Sequence, residues 1–369
     1  MMNSVCVMIK PASGGCNLRC KYCFYADEMV NREVHSYGMM SDETLENVVR
    51  RVFDEAEREA AFAFQGGEPT LAGLSFFESL ISLVKKYNLR HLPVNYSIQT
   101  NGTLITDEWA EFFTKNRFLV GLSLDGDKAL HDGCREDGKG KGTFQSVISA
   151  AKIMQKHNTQ FNILCVVTNF TARHGDRIYR FFKENGFRYL QFIPCIDPFD
   201  AKQGSVYSLS AKRYGTFLCT VFDRYYSDYK NGDYVSIRFF DNLVHLIKSG
   251  NAEMCGMGGV CSANLIIESD GSVYPCDFYM LDRYRMGNVN DGTFAEMIKS
   301  EAAERFVAES RFTDEDCKNC RYGNICRGGC RRNREPFEDE RLKKNVFCEG
   351  LYAFYDYALP RLVEIAREI

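Results

Sequence analysis

Residues 4–25 read SVCVMIKPASGGCNLRCKYCFY: a short apolar run, Ser4–Lys10, that leads straight into three closely spaced cysteines. The run predicts a strand, and Cys16-x3-Cys20-x2-Cys23 lies on the loop after it. Three thiolates this close together can wrap one face of a cubane cluster, which leaves the fourth iron open to an external ligand. A zinc site would need a fourth ligand nearby, and His35 is the only early histidine. A closed centre stores or relays electrons, whereas an open one binds and activates a substrate.

Working outward, short apolar runs alternate with helical patterns. Ser41 can N-cap a helix with Asp42 and Glu43 in its first turn. Leu45, Val48, Val49, Val52, Phe53 and Ala56 then recur at helical spacing. Strands are expected at Ala61–Gln65, Val94–Gln99, Phe118–Leu124, Phe161–Val167 and Tyr189–Ile193, with helices over Phe76–Tyr87 and around Asp176–Lys183. Six strand–helix units in series predict an α/β fold with parallel strands and right-handed crossovers. Glycine and polar residues cluster just after the strands, at Gly66-Gly67-Glu68-Pro69, Thr100-Asn101-Gly102 and Asp125-Gly126. In parallel barrels that end carries function. Six units are too few for a closed eight-stranded barrel, so the expectation is an open, partial (β/α)6 barrel.

The rhythm breaks near Gly250, where cysteines dominate. Cys255, Cys261, Cys276, Cys317, Cys320, Cys326, Cys330 and Cys348 are enough thiolates for two four-cysteine centres, and spacing alone permits several groupings. Asp270-Gly271 predicts a hairpin turn between Ala263–Glu268 and Ser272–Tyr274, and a closing helix is expected from Tyr352 to Arg367. The chain thus divides into a barrel, residues 1–235, and a small C-terminal iron–sulfur domain, residues 236–369.

A disulfide framework is the competing reading of so many cysteines. Dense disulfides belong to small secreted domains, whereas this chain has 369 residues, 45% of them hydrophobic. The N-terminus has no basic segment followed by an apolar one, so no export signal is expected. No apolar run reaches membrane-spanning length. Clustered cysteines in a reducing, cytoplasmic setting mean metal. Of the five scattered cysteines, Cys6, Cys134, Cys165, Cys195 and Cys219, most are expected as small core residues. A net charge of -3 gives no case for nucleic acid. The basic run Arg327–Arg334 is either a solvated face or charge compensation for anionic clusters.

The first motif resembles that of the radical S-adenosylmethionine enzymes, and Gly66-Gly67-Glu68-Pro69 after the second strand is similar to their glycine-rich element. That resemblance implies cofactor contacts at Tyr22, Gly66, Gly67, Glu68, Ser123 and Arg135, with the backbone near Ile196 packing on the adenine. The glycines would let the backbone approach the methionine moiety. The C-terminal cysteines resemble a SPASM-type extension. By that resemblance Cys255, Cys261, Cys276 and Cys330 hold one auxiliary cluster, and Cys317, Cys320, Cys326 and Cys348 a second. The implied cofactors are three [4Fe–4S] clusters and S-adenosylmethionine.

Within that superfamily, Ala63–Gly73, Gln99–Thr103 and Tyr274–Tyr279 look like the anaerobic sulfatase-maturating enzymes. Those enzymes oxidise a cysteine or serine of a sulfatase, in a Cys/Ser-x-Pro/Ala-x-Arg segment, to Cα-formylglycine. The resemblance implies a cleaved cofactor that yields a radical, Asp277 as the base, and Tyr25 and Gln65 as substrate contacts. It also implies a low-potential donor such as flavodoxin or ferredoxin. The main rival is a radical maturase that installs a thioether, a carbon–carbon crosslink or an epimerised residue in a ribosomal peptide. Such enzymes often carry an N-terminal peptide-docking domain, and here the first strand starts almost at residue 1. A non-enzymatic iron–sulfur carrier would leave the glycine-rich element and the missing fourth ligand without purpose.

Overall fold

Alternation and apolar runs place the strands. The structure, a computed structural model, describes residues 2–199, 206–311, 314–335 and 344–369. In β1 (Met2–Ile9), Val5, Val7 and Ile9 are buried in turn while Ser4 and Cys6 are exposed. β2 (Ala56–Phe64), β3 (Val94–Thr100), β4 (Phe118–Ser123), β5 (Phe161–Val167) and β6 (Tyr189–Pro194) follow in parallel register. Each expected barrel strand is present, with ends shifted by a few residues. β2 starts five residues earlier than its apolar pattern, as a polar extension Ala56–Ala60 beside β1.

Helices cover the sheet as the 3.6-residue periodicity requires. Ser41 Oγ accepts the Thr44 N–H at 3.1 Å, and the helix Asp42–Glu55 buries Leu45, Val48, Val49, Val52 and Phe53. Such a cap contributes about 1 kcal/mol, and each fully buried aliphatic or aromatic side chain roughly 1.5–3 kcal/mol. Among the described residues, no helix is long and apolar enough to cross a membrane.

The C-terminal region continues the barrel sheet. β7 (Ser236–Ile237), just past the expected boundary, pairs in parallel with β6. β8 (Leu265–Ile267) pairs in parallel with β1 and antiparallel with β9 (Ser272–Tyr274), so the expected hairpin turns at Asp270-Gly271. β10 (Gly287–Asn288) completes an open sheet of order β10-β9-β8-β1-β2-β3-β4-β5-β6-β7. The closing helix is Cys348–Glu368, starting four residues before the expectation with a cysteine as its first residue. It lies against the helices Ala211–Lys230 and Arg238–Ser249. Gly350 permits that contact, because a Cβ there would come within 1.9 Å of the Ala211 carbonyl oxygen.

Candidate active site and cluster-binding cysteines

The first cysteine loop is held from three neighbouring loops. Gly15 O accepts the Glu68 N–H at 2.8 Å, Arg19 N–H reaches Glu136 O at 2.7 Å, and Asn101 Nδ2 donates to Asn17 Oδ1 at 2.8 Å. Cys16, Cys20 and Cys23 are half-buried, and all sixteen cysteines of the chain are unbridged. The three thiols lie within each other's electrostatic reach. Burial pushes Cys20 up to about 12, with Arg135 opposing. Such a site favours thiolates only when a cation shares them. Three half-buried thiols close together on one braced loop suit a cluster with one open iron, and Cys16, Cys20 and Cys23 would hold it.

The glycine-rich turn packs closely against the first cysteine loop. Gly67 has φ +56°, and a Cβ there would stand 2.2 Å from the Gly15 carbonyl oxygen, so glycine is required by loop–loop contact. A Cβ on Gly66 would instead meet the Lys10 side chain at 2.8 Å. The Glu68 carboxylate makes its hydrogen bonds to neighbouring protein groups. It is buried, and accepts from Thr70 N (3.1 Å), Thr70 Oγ1 (2.6 Å), Thr100 Oγ1 (2.7 Å) and Asn101 N (2.7 Å). Its side chain buckles the β2 turn to the end of β3.

Tyr22 and Arg135 converge, on a residue not singled out from sequence. Tyr22 donates its hydroxyl to Asp125 Oδ2, and Arg135 grips the same carboxylate through Nε at 2.9 Å and Nη2 at 3.2 Å. The Val166 N–H adds a bond to Asp125 Oδ1 at 2.9 Å. Burial works to raise the Asp125 carboxyl, but the Arg135 guanidinium beside it holds it below the usual range. Ser123 ends β4 half-buried, and Ile196 follows two residues past β6, so both lie at the same mouth as Tyr22. Asp125 was legible only as part of an Asp-Gly turn at a strand end.

Asp277 reaches the mouth from the other end of the chain. Its Oδ2 accepts from the Tyr25 hydroxyl at 2.6 Å and from Gln65 Nε2 at 2.7 Å. Gln65 also donates to the Tyr25 oxygen at 2.8 Å. Lys10, the last residue of the first apolar run, places Nζ 2.8 Å from Asp277 Oδ1 and 3.9 Å from the centre of the Tyr25 ring. That contact lies off the hydrogen-bonding direction, so Oδ1 has no hydrogen bond. Glu28 is buried beside them and accepts the Met280 N–H at 2.7 Å. Burial pushes its carboxyl up to about 7, with Lys10 opposing and Asp277 adding. Neither Lys10 nor Glu28 was singled out from sequence, although a charge closing an apolar run is a usable signal.

The remaining eight cysteines separate into two sets. Cys261 feels Cys255, Cys330 feels Cys261 and Cys255, and Cys276 feels Cys330 and Cys261. Cys317, Cys320, Cys326 and Cys348 influence one another in the same way. The first set opens on a hollow lined by Cys255, Cys261 and Cys330 together with Arg331 and Arg334. Burial raises the Cys330 and Cys276 thiols, and neighbouring peptide N–H groups (Arg332 and Asn333 for Cys330, Phe278 for Cys276) oppose it. These thiol sets and N–H donors fit anionic four-iron clusters. Arg331, Arg332 and Arg334 are buried at 2%, 6% and 3% exposure, so most of the basic run is interior and not a solvated face.

The family profile described as the radical SAM superfamily matches residues 11–182, and that of the SPASM iron–sulfur cluster-binding domain matches residues 255–321. The chain is 49% identical over 369 residues to a cysteine-type anaerobic sulfatase-maturating enzyme of Clostridium perfringens, covering 100% of both chains. It is 32% identical to a serine-type enzyme of Bacteroides thetaiotaomicron, covering 98% of this chain and 91% of that one. The solved structure of native anSMEcpe with bound AdoMet and Cp18Cys peptide superposes with a TM-score of 0.95 at 48% identity, covering 99% of each chain. Streptococcus suis SuiB bound to its precursor peptide SuiA, at 18% identity and a TM-score of 0.65 over 94% of this chain and 76% of that one, shares the fold alone.

Proposed function

The chain belongs to the anaerobic sulfatase-maturating enzymes, a branch of the radical SAM superfamily with a SPASM domain, and on that premise we propose the residue roles that follow. It is a radical S-adenosylmethionine oxidoreductase that uses [4Fe–4S] clusters to convert cysteine to Cα-formylglycine. Cysteine is the preferred residue, because identity to the cysteine-type relative is 49% against 32% for the serine-type. Cys16, Cys20 and Cys23 hold the open cluster, Cys255, Cys261, Cys276 and Cys330 the first closed one, and Cys317, Cys320, Cys326 and Cys348 the second. When bound, the open cluster and S-adenosylmethionine supply a radical that removes one Cβ hydrogen atom, and the closed clusters supply an acceptor for the electron that follows.

One observation carries the role of this chain's own residues: Asp277, next to the cluster ligand Cys276, sits among Tyr25, Gln65 and Lys10 at the barrel mouth. Tyr25 and Gln65 fix the carboxylate rotamer through Oδ2. Oδ1 keeps lone-pair capacity in a buried site and is the atom that takes the substrate thiol proton. Loss of that proton and one electron from the Cβ radical leaves a thioaldehyde, which water converts to the aldehyde and hydrogen sulfide. Lys10 balances the buried carboxylate charge. Tyr22, Arg135, Ser123 and the Ile196 backbone form the cofactor bed, with Asp125 as its brace and Gly66-Gly67 as the turn that closes it.

The substrate is a sulfatase segment of Cys-x-Pro/Ala-x-Arg type, and the electron donor a flavodoxin or ferredoxin. Sixteen unbridged cysteines support a reducing compartment such as the cytoplasm. Residues 1–235 serve as the cofactor unit and 236–369 as the cluster unit, with β7 as the seam. The test is anaerobic incubation of the reconstituted protein with cysteine and serine versions of a sulfatase-like peptide. Mass spectrometry should find the aldehyde formed faster from cysteine. An intramolecular thioether or crosslink in place of the aldehyde would reject this reading.

A further inference from the structure

Arg332 stands two residues past the cluster ligand Cys330 and is buried. Its guanidinium donates to the Asp197 carbonyl oxygen and lies 4.1 Å from the centre of the Phe199 ring. One of its nitrogens is 4.0 Å from Asp27 Oδ2, and Glu335 lies 3.9 Å away on the other side. The same Asp27 carboxylate accepts the Phe199 N–H at 2.9 Å. Asp197–Phe199 begins one residue past Ile196, and Asp27 lies on the helix Phe24–Val30 that follows Cys23. A buried cation from the cluster segment and an anion from the first cysteine loop therefore clasp one short stretch of chain between them.

We propose that Arg332 is a positioning residue for S-adenosylmethionine: it fastens Asp197–Phe199, and with it the Ile196 backbone, to the auxiliary-cluster ligand Cys330. Cofactor affinity at the first cysteine loop then depends on whether the auxiliary segment is assembled. The physical reason is preorganisation, since a loop ordered before binding adds no ordering cost when the cofactor arrives. The inference rests on the reading that the Ile196 backbone packs on the adenine.

The test uses fully reconstituted protein and measures iron content, the dissociation constant of S-adenosylmethionine, and the steady-state kinetics of its cleavage to 5′-deoxyadenosine. Arg332→Met should keep its iron and bind the cofactor about tenfold more weakly, the scale of one charged hydrogen bond. KM should rise while the turnover rate at saturation changes little, and Arg332→Lys should recover part of the loss. If Arg332→Met loses iron, Phe199→Ala, which keeps the Arg332 side chain and removes the ring that it and Tyr279 pack on, should show the same weakening with full iron. Parental affinity in an iron-replete Arg332→Met or Phe199→Ala protein overturns the fastening. Ile196→Gly separates the two levels: weakened binding there with silent Arg332 and Phe199 variants rejects only the fastening. Unchanged binding in Ile196→Gly rejects the adenine contact and this inference with it.

Discussion

Lys10 and Asp277 are more than two hundred and sixty residues apart in the chain and 2.8 Å apart in space, both largely buried. Removing one member of a buried pair leaves the other uncompensated, at a cost of about 3–5 kcal/mol. Lys10→Met should therefore lower thermal stability by that order, and the double variant with Asp277→Asn should lose less than the sum of the singles. A thermal-unfolding double-mutant cycle checks this. For catalysis, Asp277→Asn retains size and hydrogen-bonding capacity but cannot act as a carboxylate base. It should still cleave S-adenosylmethionine to 5′-deoxyadenosine while formylglycine falls about a hundredfold. Near-normal formylglycine yield would instead make Asp277 a support for Cys276. His131 offers a pH test. Burial pushes it down to about 4, and its Nδ1 receives the Asp125 N–H at 3.3 Å. The folded state resists protonation that the unfolded chain accepts, so the stability this neutral imidazole contributes is present above pH about 6.5 and is lost as pH falls toward about 4. Between those limits the parent should lose up to about 1.4 kcal/mol per pH unit more than His131→Gln, measured by denaturant unfolding.

Among the elements, the crossing of Cys348–Glu368 over Ala211–Lys230 is the most demanding contact. Gly215 and Gly350 meet backbone to backbone, a Cβ on Gly215 standing 2.6 Å from the Gly350 carbonyl oxygen. Gly350→Ala must move one helix, and overpacking of this kind costs about 1–3 kcal/mol. Cys348 begins the displaced helix, so iron should fall by about four atoms per chain, one four-iron cluster. Gly138→Ala, where a Cβ would meet nothing within 4 Å, is the matched control. Equal iron in the two variants would show that the helix can shift without disturbing its ligand. The barrel strands and the first helix cap were readable because apolar periodicity and a serine N-cap are local signals. The register of the hairpin was not, because β8 pairs with β1 across more than two hundred and fifty residues of chain. No local pattern encodes that pairing.

Over the whole molecule, the cysteines predict about twelve iron atoms per chain after anaerobic reconstitution, from three four-iron clusters. Changing Cys16, Cys20 and Cys23 together to alanine should remove a third of that iron and abolish S-adenosylmethionine cleavage, while the auxiliary centres survive. Iron analysis and low-temperature electron paramagnetic resonance check both statements.

The sequence by itself determined the six parallel strands and the clustering of the candidate cysteine ligands, because hydrophobic period and cysteine spacing are properties of neighbouring residues, whereas the reaction class came from the resemblance of its motifs to a known family. Tertiary structure alone decided that Glu68 buckles two loops, that Asp125 braces Tyr22 and Arg135, and that Arg332 clasps the chain beyond β6. It also decided where Asp277 stands. The hairpin β8–β9 hydrogen-bonds to the edge of β1, and that pairing carries Cys276 and Asp277 to Lys10, Tyr25 and Gln65. Placement of this kind depends on burial and long-range pairing, which no short stretch of sequence records.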